Sequence, residues 1–138
     1  MIRRSVGAAA FLVAALALAA CGGSSGSASP SGTTRVVVTF AVGDEEQFKV
    51  LLVEPADIDI ARRLLANQDA PSIPNGRVIR ETGVNTGYSW SLDPADIEFG
   101  DVTVEVCDGL PSDVEAGTIS GDRYCPWSAD VVAIDPAP

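Results

Sequence analysis

The hydrophobic positions change their spacing along the chain, and each change marks a boundary. Val6 to Leu18 is an uninterrupted run of Gly, Ala, Val, Leu and Phe, too short and too abruptly ended for a membrane span but of the right length for a signal-peptide core. Gly22 to Thr34 is Gly, Ser, Ala and Thr with a single Pro. That composition cannot bury enough apolar surface to order itself and reads as a flexible tether. From Arg35 onward Val36, Val38, Phe40 and Val42 alternate with Val37, Thr39 and Ala41, which predicts a strand with one strongly apolar face. Gly43-Asp44-Glu45-Glu46 turns the chain, Phe48, Val50 and Leu52 repeat the alternation, and a hairpin is expected.

The period lengthens after Glu54-Pro55-Ala56-Asp57, where Ile58, Ile60, Ala61, Leu64 and Leu65 fall at helical spacing. Pro suits a first helical position, Asp57 the first turn, Arg62 and Arg63 the last, and Asn67 a stop, so a helix is predicted over about Asp57 to Ala66. Pro71 to Gly76 reads as punctuation and Arg77 to Glu81 as a short strand. Tyr88, Trp90 and Leu92 share one face of a further strand, and Asp93-Pro94-Ala95-Asp96 turns the chain. Ile97 and Phe99 lead into Val102, Val104 and Val106, which alternate with Thr103, Glu105 and Cys107 as another strand. Ser112 and Glu115 have the spacing of a capping box over one helical turn, and Asp130 to Ile134 is expected as a last strand.

Arg3 and Arg4 give the apolar run a basic flank, and it closes on Leu18-Ala19-Ala20-Cys21. This has the form of a bacterial lipobox, in which Cys21 takes the lipid and becomes the first residue of the mature chain. The other reading is an ordinary signal peptide cut at a small-residue site, which would leave Cys21 as a free thiol in an oxidising compartment. If Cys21 carries lipid, Cys107 and Cys125 remain and most simply form one disulfide. Residues 1–20 are then a lipoprotein signal peptide, 21–34 a lipidated tether, and 35–138 one extracytoplasmic domain.

Removing Arg3 and Arg4 takes the formal charge from −10 to −12, with 7 basic against 19 acidic residues. That balance disfavours nucleic acid or an anionic lipid surface as partner of the folded part. The chain has no His, which removes a Ser-His-Asp triad, a His-ligated metal and the usual neutral-pH proton shuttle. Carboxylates are the acid-base groups left, and a hydrolytic pair of them needs a walled cleft that so small a domain rarely builds. No cofactor is expected. Asp93, Asp96 and Asp101 are weak calcium candidates because oxygen ligands on turns suit that ion, although Asp is expected in turns for its own backbone hydrogen bonds. Tyr88, Trp90, Asp108 and Trp127 are candidates for a ligand surface, with core packing the competing and favoured role for both tryptophans.

Three segments together carry a resemblance: Tyr88-Ser89-Trp90-Ser91-Leu92-Asp93-Pro94, Val104-Glu105-Val106-Cys107-Asp108-Gly109 and Tyr124-Cys125-Pro126-Trp127. The stretch from Phe48 to Ile134 resembles the N-terminal domain of a slime-mould calmodulin-binding protein, a domain also found alone in small secreted bacterial proteins. The resemblance implies a compact β-rich extracellular domain whose two cysteines pair. It does not imply calmodulin binding, since bacteria lack calmodulin. In that family a His often precedes Leu-Asp-Pro; Ser91 holds that place here.

The expected fold class is mostly β: a small antiparallel sandwich-like domain of about six strands with one packed helix and one disulfide, α+β being the alternative. The expected protein is exported and lipid-anchored at the outer face of the bacterial cell membrane, or at the outer membrane of a two-membrane host. Its leading expected role is that of a non-enzymatic binding or adhesion module for an envelope protein or glycan. A protease inhibitor or envelope accessory factor, using the segment Pro111 to Tyr124, comes second. A carboxylate-dependent hydrolase comes third.

Overall fold

The computed structural model describes residues 34–44 and 46–138. The signal run, Cys21 and the tether through residue 33 lie outside the described residues. Strand β1 (Val36–Val42) and strand β2 (Glu46–Leu52) form the expected hairpin, with Val36 opposite Leu52 and Val42 opposite Glu46. Gly43 takes φ +63° in the turn between them, a value that suits a residue without Cβ. Strand β6 (Ala129–Pro136) pairs antiparallel with the other edge of β1, giving a three-stranded sheet in the order β2-β1-β6.

Helix α1 runs Pro55–Leu65 and begins on the proline itself, two residues before the expected start. It ends where Asn67 adopts φ +54° while its N–H and that of Gln68 bond back to the carbonyls of Leu64 and Arg63, the termination that the Asn predicts. Ile58 and Ala61 are its buried residues, and they join the core.

The second sheet departs from the expected boundaries. Strand β3 covers Ile73–Ile79, so most of the segment read as punctuation is strand. Pro74 is tolerated because β3 has only strand β4 beside it there; strand β5 (Arg123–Tyr124) joins its other edge at Gly76 and Arg77. Strand β4 covers Ser91–Gly100, running through the expected turn at Asp93–Asp96. The turn chemistry survives as an irregularity inside the strand, since Val78 pairs with Leu92 but Gly76 pairs with Ile97. The residues between bulge outward, and the Asp93 carboxylate accepts a hydrogen bond from the Ala95 N–H at 3.0 Å. Tyr88 and Trp90 precede this strand rather than belonging to it. The order is β4-β3-β5, all antiparallel.

The fold is therefore mostly β, two three-stranded antiparallel sheets with α1 packed on them. One core joins both sheets: Val38, Phe40, Val42, Phe48, Val50 and Leu52 from the first meet Leu92 and Tyr124 of the second and Trp90 just before it. Phe48 is the hinge of an aromatic cluster, stacked on Phe40 at 5.2 Å between ring centroids and edge-on to Tyr124 at 5.3 Å. Asn85 is the buried polar link at the sheet edge. Its Oδ1 accepts the outward N–H of Lys49 on β2 at 2.8 Å, and its Nδ2 donates to the Trp90 carbonyl at 3.0 Å.

The expected strand Val102 to Val106 is absent. The chain leaves the sheet after the Ile73 and Gly100 pair, runs unpaired, and closes into a single 3-10 turn at Glu105–Cys107. Alternation alone cannot make a strand where no neighbouring chain supplies the hydrogen bonds. Helix α2 (Pro111–Ala116) replaces the expected single turn. Asp113 rather than Glu115 closes its first turn, accepting the Leu110 N–H at 2.9 Å. Cys107 and Cys125 are disulfide-bonded with Cα atoms 5.1 Å apart, both buried beside Ile73.

Candidate functional site

The disulfide fixes the place where the chain exposes its apolar side chains. Cys125 N–H donates to the Cys107 carbonyl at 2.8 Å, so the two segments leave the bridge side by side. Trp127, two residues on, is held at both ends: its backbone N–H donates to the Asp108 carboxylate at 2.8 Å and its indole Nε1 to the Thr103 hydroxyl at 2.7 Å. The ring is pinned yet 48% exposed. Val102, Val104 and Val106 on the unpaired segment are 86%, 65% and 65% exposed. Ile73, Asp101, Val102, Thr103 and Trp127 line a hollow of about 130 Å³ among these residues. Trp127 and Val102 form an apolar shelf around this hollow, and Val104 and Val106 are exposed further along the same segment. The shelf lies near the end of β1 at Val42, because Ala129, opposite Val42, follows Trp127 by two residues. Thr34 lies just beyond the other end of β1, which spans about 20 Å from Val36 to Val42 by strand rise.

Of the four aromatic and acidic candidates, Asp108 and Trp127 meet on this shelf. Tyr88 is half-buried elsewhere, packed on Trp90 at 5.5 Å with its hydroxyl toward Glu46 at 3.4 Å. Trp90 is fully enclosed by Phe48, Tyr88 and Tyr124 and offers no surface to a ligand, so its place is the core. Trp127 departs from the favoured core role, because Pro126 and Cys125 fill the interior and the indole is laid outside it.

The calcium candidates do not converge. Asp93 pairs with Arg77, whose guanidinium hydrogen bond holds that carboxyl below its ordinary range, with the Ala95 N–H helping. Asp96 pairs with Arg123 at 2.8 Å, and the same guanidinium reaches Glu98 at 3.5 Å. Asp101 stands apart on the rim of the shelf. Among the described residues no three acidic, His or Cys side chains are placed to hold a metal ion.

Other carboxylates serve the fold. Glu46 accepts the backbone N–H and the hydroxyl of Ser112 at 2.8 and 2.7 Å, latching the start of α2 to the start of β2. Glu115 accepts the Ser89 N–H at 2.9 Å, and Arg80 donates to the Val114 carbonyl at 3.1 Å. The segment Pro111 to Tyr124 is thus docked at its helix, with Pro111 and Val114 buried. Burial, reinforced by Glu46, pushes the Tyr124 phenol far above its usual range, and its hydroxyl donates to the Gly109 carbonyl at 3.0 Å. Asp57, on the first turn of α1, is pushed upward by partial burial and by the charges of Glu54 and Glu98. The Glu46 latch spans 66 residues of sequence and has no local signature.

No curated protein and no solved structure matches the chain. The segments that carried the resemblance in the sequence divide between surface and core: Val104, Glu105, Val106 and Trp127 are exposed, whereas Trp90, Leu92, Cys107, Tyr124 and Cys125 are buried. The buried ones specify how the two sheets and the disulfide close, and the family model that describes the BP-74 N-terminal domain matches residues 34–138, the whole of that unit. On that match the chain belongs to the BP-74 N-terminal domain family.

Proposed function

We propose that this protein is an exported, lipid-anchored binding or adhesion module of the bacterial cell envelope, with no catalysis of its own, and that the Trp127 shelf is its binding surface. The observation that carries this reading is a rigidly held, half-exposed indole beside the exposed Val102, on a segment that continues through the exposed Val104 and Val106 to the disulfide. An exposed apolar patch of this kind is unfavourable in water and is characteristic of an interaction site. The lipid on Cys21 rests on the Leu18-Ala19-Ala20-Cys21 motif, and two acyl chains anchor far more firmly than one.

The full chain in nanodiscs, incubated with envelope protein and polysaccharide fractions, is expected to retain a partner that Trp127→Ala releases. Failure of both forms to retain anything across several ionic strengths would end the proposal. For the anchor, Cys21→Ser is expected to remove the lipid mass from the native product and to block processing. A native product with an unmodified Cys21 would refute it.

A further inference from the structure

The shelf has a charge as well as a shape. Asp101, Glu105 and Asp108 interleave with Val102, Val104 and Val106, and between Arg80 and Arg123 the chain has no Lys or Arg at all. Arg123 is turned to Asp96 and Glu98, and Arg77 to Asp93, so these cations are occupied on the second sheet. An apolar floor with an acidic rim is what remains.

The hollow beside Trp127, about 130 Å³, is well below the roughly 300 Å³ at which pockets for whole small molecules begin. It has room for one aliphatic side chain. Its polar groups are already engaged: Trp127 Nε1 and Thr103 Oγ1 bond each other, and the Trp127 N–H bonds Asp108. Sugar hydroxyls would find carboxylate acceptors but few free donors. A second copy of the chain would set one acidic rim against another, at a formal charge of −12 each once Arg3 and Arg4 are removed. An anionic lipid surface fits poorly for the same reason.

Resting on the reading of this shelf as the binding surface, we infer that its partner is a cationic, apolar polypeptide segment. One aliphatic side chain enters the hollow between Ile73, Val102 and Trp127, and flanking Lys or Arg side chains pair with Asp101 and Glu105. The acidic rim attracts and orients the segment, and the valines supply the contact area.

The test uses the full chain in nanodiscs of neutral lipid and labelled synthetic peptides that share one apolar pattern but carry Lys, Gln or Glu between the apolar positions. Fluorescence anisotropy should show the Lys peptide binding about tenfold or more tighter than the Glu peptide at low salt, with the difference shrinking as salt rises. The double variant Asp101→Lys, Glu105→Lys should reverse that order, and Val102→Ser should weaken all three peptides. Asp101, Glu105 and Val102 are exposed, so these changes leave the core intact. Equal binding of the Lys and Glu peptides to the unaltered chain overturns the inference whatever the variants do. Retention of an envelope polysaccharide through Trp127 with no peptide bound also overturns it, while the shelf stands as a binding surface. Ligand binding that survives Trp127→Ala sinks both readings.

Discussion

Replacing Asn85 tests the link between the edge of the first sheet and the segment that leads into β4. The side chain is fully buried; it accepts from the Lys49 N–H at 2.8 Å and donates to the Trp90 carbonyl at 3.0 Å. Asn85→Ala leaves both backbone groups without a partner. An orphaned buried donor or acceptor costs about 1–3 kcal/mol, so the pair amounts to about 3 kcal/mol once some water reaches the gap. For a domain of this size that is roughly a 12 °C fall in melting temperature, read by circular dichroism. Asn85→Asp adds a second readout. Its carboxyl would keep an acceptor for Lys49 but face the Trp90 carbonyl, so burial and that oxygen would raise its folded pKa above the unfolded value. The destabilisation is then absent at low pH, where the acid is protonated and donates, and grows as pH rises through the folded pKa. A fall of less than about 3 °C for the Ala variant would refute this account of the sheet edge, and so would a pH-independent Asp variant.

Reduction of the Cys107–Cys125 bridge opens a loop of separation 18, which the chain-entropy relation values at about 3 kcal/mol; a melting temperature unchanged by reductant would refute that contribution. A Cβ added at Gly76 would lie 3.1 Å from Leu92 Cδ1 and 3.4 Å from the Asp96 carbonyl, so Gly76→Ala should destabilise by about 1–3 kcal/mol, measured as a lower urea midpoint at unchanged slope. Asp93 has its pKa lowered in the folded state by Arg77, so its stabilisation is present above about pH 4 and is lost as pH falls through the folded value. Arg77→Ala should therefore show a shallower loss of urea midpoint between pH 5 and pH 2 than the parent chain, and parallel curves would refute the pairing.

Trp90, Leu92, Tyr124 and the two cysteines are interior residues, so this part of the family motif describes a way of closing two small sheets. Val104, Glu105, Val106 and Trp127, from the same motif segments, are exposed, so the motif reaches the surface of the domain as well as its interior.

Elements governed by neighbours in sequence were legible without coordinates. The β1–β2 hairpin follows from a period of two broken by a turn, α1 from a proline start and an asparagine stop, and the choice of disulfide partners from lipobox and cysteine count. What depended on distant neighbours was not. Val102, Val104 and Val106 alternate as well as β1 does, but no strand pairs with them among the described residues, and the same pattern that makes a buried strand at Val36 leaves these side chains exposed here. Asp93 to Asp96 has turn chemistry, yet pairing with β3 on both sides absorbs it as a bulge. Glu46, Arg123 and Asn85 act across long separations that no window of sequence contains. Local periodicity decides which backbone shapes are open to a segment. Only the packed structure decides whether a partner stands alongside to hydrogen-bond and cover it.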